Sequence, residues 1–411
     1  MSKLKSYNKQ LNVYDAARQR ISYTFDNFEK VYVSFSGGKD STVMTHMVLD
    51  EAIKRNRKVG MLIIDLEAQY ELTIKHLEEM VVEYKDHLDV YWVCLPIALR
   101  NAVSNFSPRW LCWDRKVRDS WVREYPQVEG IGIITEDNNP FDFFIPGMEF
   151  EEFIVLFAEW YGTGLLTAGC IGIRSDESLN RFRTIASKTK EMFEGKQYTT
   201  KVVDQAYNVY PIYDWKTQDI WKYHEKHPEH SHNIVYDLMH KAGLSLHEMR
   251  LCQPYGDDQR RGLWLYHVLE PQTWSKVVAR VAGVNSGALY VQETGNIMGY
   301  NKVTKPEHHT WESFTKLLLT TLPTNTKAHF QERFITFLKG WKHRGYYTGI
   351  PDEAPAILES QMWAPSWRRL ARCLLRNDWW CKGLGFTQPS SEAYGEYLKI
   401  RDKKKGLEIG A

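Results

Sequence analysis

Short, wholly apolar runs alternate along the chain with longer segments whose apolar positions recur every three or four residues. Residues 10–29 place Val13, Ala16, Ala17, Ile21 and Phe25 on one side, which predicts a helix. Val31–Ser36 is a compact apolar run and predicts a first strand. Val43, Met44, Met47, Val48 and Ala52 then repeat at helical spacing. The pattern predicts a second buried strand at Val59–Ile64, ending at Asp65, and a helix over Leu72–Tyr84. A third strand is expected at Val90–Pro96, a fourth within Gly164–Ile173 and a fifth within Tyr207–Ile212, before a helix at Thr217–Glu225. Buried strands alternating with helices predict an α/β fold with an open parallel sheet. About seventy residues rich in Trp, Arg and Pro separate strands three and four, so helices and part of a substrate pocket are expected there. After the sheet domain the pattern is mostly helical, as in 310–323, 330–345 and 366–377. We place the expected domains at 1–245 and 246–411.

One junction carries chemistry. The first strand runs into Ser36-Gly37-Gly38-Lys39-Asp40-Ser41, where the helix begins. Glycine lets the backbone approach an anion closely, and the free N–H groups of a new helix point at it. A phosphate explains this combination better than a plain turn with a serine cap. The P-loop pattern G-x-x-x-x-G-K-[ST] is absent.

Bulk composition narrows the setting. A chain of 411 residues exceeds one ordinary domain. Its apolar runs all fall short of a bilayer span, and the N-terminus lacks the apolar core of a signal peptide. The six cysteines never form CxxC, so reduced thiols in the cytoplasm are expected. A net charge of +2 gives no global nucleic-acid signature, although residues 331–411 hold 14 Lys/Arg against 9 Asp/Glu. The high counts of Trp (15) and Tyr (23) fit either flat stacking surfaces or a bulky core.

The segment "SFSGGKDS" resembles the SGGxDS pyrophosphate loop of the N-type ATP pyrophosphatases. Lys39 makes it most similar to the phosphoadenosine phosphosulfate reductase branch. "GIRSDESLNRFR" (Gly172–Arg183) and "VYPIYDWKTQDIWKY" (Val209–Tyr223) resemble two further motifs of that branch, in the same order. "RLCQPYGDDQRRGLW" (250–264) resembles a reductase-like subfamily with a C-terminal domain of unknown function, often a neighbour of a ParB-like protein. The resemblance implies an adenine nucleotide alpha hydrolase-like (HUP) sheet, ATP or a related adenine nucleotide, and Mg²⁺. It implies that Ser36, Gly37, Gly38 and Ser41 hold phosphates and that Lys39 neutralises charge as an α–β bond breaks. Asp40 is either a Mg²⁺ ligand or an acid favoured by the helix dipole. Asp65 lies at the carboxyl edge of the second strand, where such sheets bind ligands. There the family reads roughly D-T-G and this chain reads Asp65-Leu66-Glu67. Arg174, Arg181 and Arg183, around Asp176, Glu177 and Ser178, form either an anion clamp or a set with a surface pair between Glu177 and Arg181.

Other candidates are weaker in pattern. The E-C-G-[IL]-H nucleophile stretch of true phosphosulfate reductases is missing, as is an iron–sulfur cysteine cluster. Cys252 is the candidate thiol, against the reading of an inert buried cysteine. His224, His227, His230 and His232 mimic a zinc site, but Pro228 breaks the spacing and a solvated loop is favoured. Asp214, Trp215 and Asp219 are expected to organise the fold. Arg368, Arg372 and Arg376 repeat on one helical face near Trp379 and Trp380, which suits nucleic acid or an ordinary solvated surface.

The expected function is an ATP pyrophosphatase-type enzyme that releases pyrophosphate through an adenylylated intermediate. Alternatives are a phosphosulfate reductase or sulfotransferase, and a nucleotide-gated regulatory module that acts with a DNA-binding partner.

Overall fold

The computed structural model describes residues 11–104, 107–187, 189–256, 263–281 and 305–409. Helix α1 (Val13–Asn27) leads into β1 (Lys30–Ser34), α2 (Lys39–Lys54), β2 (Val59–Ile64), α3 (Glu71–Glu83) and β3 (Leu88–Val93). The long connection holds a hairpin, β4 (Ala98–Arg100) and β5 (Arg109–Leu111), and a short strand β6 (Ile133–Ile134). It ends in α4 (Phe150–Gly162), which feeds β7 (Thr167–Ile171). Then come α5 (Leu179–Ala186), β8 (Thr199–Val203), β9 (Ala206–Val209), α6 (Thr217–Lys226) and α7 (Val235–Lys241).

All five expected strands form, as β1, β2, β3, β7 and β9, and β6 and β8 extend them to a seven-stranded sheet in the order β6-β3-β2-β1-β7-β9-β8. Every pairing is parallel except the edge pair β8–β9. β1 lies between β2 and β7, so the strand order reverses there. The carboxyl end of β1 is thus the crevice where an open α/β sheet takes its ligand. The long connection is less helical than expected. Its shape comes from packed aromatic rings instead: Trp113, Trp121 and Tyr125 lie within about 5 Å of one another, and Phe141 packs on Phe153 and Trp160.

The first core does not stop at 245. Tyr255, Leu265, Tyr266, Val277 and Val281 are buried in the same cluster as the sheet. They come partly from α8 (Leu263–Leu269) and α9 (Pro271–Arg280). Tyr266 stacks on Tyr70 with centroids 3.9 Å apart. A second core joins Phe330, Phe334, Phe337 and Trp341 to Leu370, Cys373, Leu374, Cys381 and Leu384. It is built by helices Trp311–Thr321, Thr324–His343 and Trp367–Leu375, near the three helical segments expected. The change of core therefore falls beyond Val281. The last helix, Glu392–Ile409, returns to the first core through Ala393, Tyr394 and Tyr397.

Candidate active site at the β1–α2 junction

The loop after β1 is tight because Gly37 adopts φ +68°. A Cβ on it would meet Thr73 Cγ2 at 3.0 Å and Leu77 Cδ2 at 3.2 Å. Both the backbone angle and the close packing on α3 therefore require glycine here. Gly38 is the N-cap of α2 and offers no capping side chain, so the first N–H groups of the helix need partners from elsewhere. The Tyr236 hydroxyl accepts from Lys39 N–H at 2.9 Å. Asn233 donates to the Gly37 carbonyl at 2.9 Å and to Thr73 Oγ1 at 3.0 Å. Ser36 Oγ and Ser41 Oγ lie 3.0 Å apart, and Ser41 also donates to the Gly38 carbonyl.

The motif after β7 closes on this loop. A Cβ on Gly172 would stand 2.8 Å from Ser41 Cα and 2.9 Å from Ser41 N. That contact brings Arg174 to Asp40, with Nε donating to Oδ1 at 2.5 Å. The Arg174 side chain is 2% exposed. Its Nη1 has no hydrogen-bond acceptor among the described residues, and Asp176 Oδ2 stands 3.9 Å away. A buried guanidinium with an open N–H beside a helix N-terminus is an arrangement that favours an anion.

Lys39 is buried too. Its Nζ donates to the Met249 carbonyl at 2.9 Å and lies 3.6 Å from Asp40 Oδ2. Asp40 is thus flanked by two cations. That does not fit a Mg²⁺ ligand, because the carboxylate charge a metal would need is already compensated.

The arginine cluster divides. Arg181 is half-exposed and faces Glu177 at 3.6 Å, the surface pair of an i,i+4 helix turn. Arg183 is exposed. The structure therefore brings only Arg174 to the loop, and Arg181, in α5, pairs with Glu177 just before that helix.

Asp65 is fully buried and engaged. It accepts from Trp92 Nε1 at 2.9 Å and from Arg123, while its backbone carbonyl accepts from Trp113 Nε1. This is a structural network rather than an open nucleotide contact. The departure at Glu67 explains it. Glu67 sits at φ +63° and accepts from Trp113 N–H, Val122 N–H and both Nε and Nη2 of Arg280. The carboxylates at 65 and 67 thereby clamp the long connection and α9 onto the sheet edge.

Between these walls lies a cavity of about 180 Å³ at the carboxyl ends of β1 and β2. Ser36, Leu66, Gln69, Phe150, Cys252 and Tyr266 are among its lining residues. Cys252, half-buried, is the one cysteine that reaches it. The others are buried, and burial raises the Cys170 thiol to about 12.

The remaining candidates resolve as follows. Asp214 forms a two-point ion pair with buried Arg20, Trp215 Nε1 donates to the Val13 carbonyl, and Asp219 caps α6 at Lys216 N–H. All three organise the fold. His227, Glu229 and His230 bring ligand atoms within 4.8 Å of one another. Internal hydrogen bonds already use Nδ1 of His227, to Glu229, and of His230, to the Tyr223 hydroxyl. Burial drops His224 to about 4. The C-terminal arginines do not form an open stripe: Arg368 pairs with Glu353 and Glu359, and Arg372 pairs with Glu359. Trp379 stacks on His329 at 4.0 Å, and Trp380 is buried under Arg109. Neither ring is open to a base.

Sequence reasoning missed Asn233, Tyr236, Met249 and Glu67. The first three touch the loop from more than 190 residues downstream, and no local spacing signals such contacts. Glu67 was visible as a departure from D-T-G, but its role was not.

A family model for the phosphoadenosine phosphosulfate reductase domain matches residues 30–108, and one for a domain of unknown function, DUF3440, matches residues 243–349. The Uncharacterized protein YbdN of Escherichia coli (strain K12) is 41% identical over 402 residues, covering 96% of each chain. Among solved structures, phosphoadenylyl-sulfate reductase from Candida auris, a phosphate complex, overlaps 55% of this chain and 85% of its own at 13% identity, TM-score 0.31. The U34-tRNA thiolase NcsA of Methanococcus maripaludis, with its [4Fe-4S] cluster, overlaps 71% and 86% at 12% identity, TM-score 0.29. Neither overlap is close enough to transfer a substrate or cofactor. No helix among the described residues is long and apolar enough to cross a membrane. Its end-to-end identity with YbdN, and its reductase-type sheet domain followed by DUF3440, place the chain in the YbdN family of phosphoadenosine phosphosulfate reductase-like proteins.

Proposed function

We propose that this chain binds an adenine nucleotide through its phosphates at Ser36–Ser41 and cleaves the α–β bond, releasing pyrophosphate. The observation that carries this reading is Arg174, delivered from the end of β7 to Asp40 at the N-terminus of α2, buried and with Nη1 lacking an acceptor. A leaving pyrophosphate gains negative charge as the α–β bond breaks. Loop N–H groups and the open Arg174 N–H stabilise that charge without reorganising, and the Ser36 and Ser41 hydroxyls join them by turning away from each other and from the Gly38 carbonyl. Lys39 shares the charge only if its Nζ leaves the Met249 carbonyl. The cavity beside Ser36, with apolar walls and the amides of Gln69 and Gln253, is where the base would lie next to the loop. The adenylyl group passes to a nucleophile of the second substrate.

The test is calorimetry with ATP, with and without Mg²⁺, on wild type, Lys39→Ala and Asp40→Asn, plus product analysis of α- and γ-labelled ATP. Both variants are expected to bind more weakly, and turnover is expected to give pyrophosphate. Unchanged affinity in both variants, or ADP as the only product, overturns the reading.

A second reading has one observation in its favour. Cys252 lines the same cavity as Ser36, so a thiol-dependent transfer from phosphoadenosine phosphosulfate has a candidate nucleophile. Sulfite release with an added dithiol reductant, lost in Cys252→Ser, would select it.

A further inference from the structure

The second core contains its own cavity, far from the β1–α2 loop in sequence and not used by the reading above. It measures about 430 Å³, within the range of small-molecule sites. Arg369, Arg372 and Arg376 line it, with Glu359 and Asp378 as the acidic groups, and Met362 and Cys373 among the apolar ones. The residue spacing explains the convergence. Ser366 caps the helix Trp367–Leu375 by accepting from Arg369 N–H. Arg369, Arg372 and Arg376 then follow at i, i+3 and i+7, one face of that helix and its C-cap.

Positive charge is in excess here. Glu359 is almost fully buried and serves Arg368 Nε at 3.0 Å and Arg372 Nη1 at 2.9 Å, and it also accepts from the Ser366 hydroxyl at 2.6 Å. Glu353 takes a second N–H of Arg368 at 2.8 Å, so Glu353, Glu359 and Asp378 stand against the four guanidinium groups of Arg368, Arg369, Arg372 and Arg376. Asp378 is used locally, accepting from Lys382 N–H and Gly383 N–H. Arg369 is 4% exposed. It donates Nη1 to the Ala364 carbonyl and Nη2 to the Gly383 carbonyl, and its Nε has no acceptor among the described residues. Burial lowers the basicity of both Arg369 and Arg372, against the pull of Glu359, and the neighbouring Arg368 and Arg376 charges lower Arg372 further.

We propose that this cavity binds a small molecule bearing a phosphate or sulfate group, with the tetrahedral anion held between Arg369 and Arg372. Guanidinium groups match such oxyanions in shape and charge. A nucleic-acid backbone is a poorer fit, because the adjacent Trp380 is buried and one face of Trp379 is already stacked on His329.

The experiment is calorimetric titration of the full chain with inorganic phosphate, sulfate and AMP. It is made in a Lys39→Ala/Arg174→Met background, which removes both loop cations and leaves the Asp40 carboxylate to repel an anion, so that the loop does not report. Arg372→Gln is the test variant because Arg372 is one-third exposed and its loss spares the buried Arg369 contacts. Arg376→Gln is the second variant, and a cooperative melt checks that each folds. Saturable binding is expected, weakened roughly tenfold or more by Arg372→Gln, as befits a lost charge-assisted hydrogen bond. Tighter binding of AMP than of phosphate would place the phosphate ester, rather than the free ion, in the cavity. Binding unaffected by both variants, or no binding at millimolar anion, overturns the proposal. So does binding of a single-stranded oligonucleotide that Arg372→Gln abolishes while phosphate and AMP do not bind. Because the loop is disabled throughout, failure here says nothing against nucleotide binding at Ser36–Ser41.

Discussion

Removing Arg174 tests whether the loop and the strand-β7 motif are one electrostatic unit. The Arg174 side chain is 2% exposed and that of Asp40 14%, with Nε and Oδ1 2.5 Å apart. Breaking a buried pair by deleting one partner costs about 3–5 kcal/mol, since the other charge is left uncompensated. Two features soften the loss for Arg174→Met. Lys39 Nζ remains 3.6 Å from Asp40, and the dipole of α2 favours an acid in its first turn by about 0.3–1 kcal/mol. Arg174→Met should therefore cost about 2–3 kcal/mol. Asp40→Asn leaves a buried guanidinium with Asp176 no nearer than 3.9 Å, so about 3–4 kcal/mol is expected. The double variant removes both charges and should recover about 2 kcal/mol relative to the sum of the singles. Urea unfolding followed by tryptophan fluorescence and far-ultraviolet circular dichroism measures this cycle, and coincident transitions are the check that one free energy describes it. Additive singles, or losses below about 0.5 kcal/mol, would refute the coupling. The burial of Arg174 thus gives it a stability role beside the anion-clamp role expected from the sequence.

Two further outcomes follow. Gly172→Ala places a methyl group 2.8 Å from the backbone of Ser41, so it should destabilise by about 1–3 kcal/mol and weaken nucleotide binding; an unchanged melt and affinity would show that the strand and helix can part freely. Burial drops His46 to about 3, with the stacked His230 adding to the effect. The unfolded chain takes up this proton from about pH 6.5 downward while the folded one does not until about pH 3. The contribution is full above 6.5 and shrinks by up to about 1.4 kcal/mol per pH unit as pH falls. His46→Gln should flatten the fall in stability between pH 6 and 4, and an unchanged slope would argue against it.

The sheet was legible because its strands are short apolar runs separated by periodic helices, and period alone decides that pattern. The tight β1–α2 loop was legible because Gly37 and Gly38 have few other reasons to sit between strand and helix. Side-chain destinations were another matter. The same Arg-x₆-Arg-x-Arg spacing put Arg174 in the core and left Arg181 and Arg183 outside, a difference fixed by the close approach of Gly172 to Ser41. The regular spacing of Arg368, Arg372 and Arg376 read as an open stripe. Glu353 and Glu359 fold back over it, and the buried Arg369 faces the cavity that Glu359 helps to line. Charge patterns on a helix show which residues share a face. They do not show which face the rest of the chain will cover.

The contacts of the DUF3440 segment bear on how the site is assembled. Met249 holds the Lys39 ammonium, Cys252 and Gln253 complete the cavity wall, and Arg280 answers the buried Glu67. Glu270 accepts from the N–H groups of Glu71 and Leu72, capping α3. Each contact joins a residue beyond 243 to the carboxyl edge of the sheet, and the Arg280 contact answers the buried Glu67 charge. An isolated sheet domain would leave Lys39 without its carbonyl acceptor, Glu67 as an uncompensated buried carboxylate, and one wall of the cavity missing. The reductase-type fold and DUF3440 thus make a single site. The segment from Leu251 to Gln253 forms a wall of the same cavity that Ser36 lines, which ties the DUF3440 part of the chain to the β1–α2 loop.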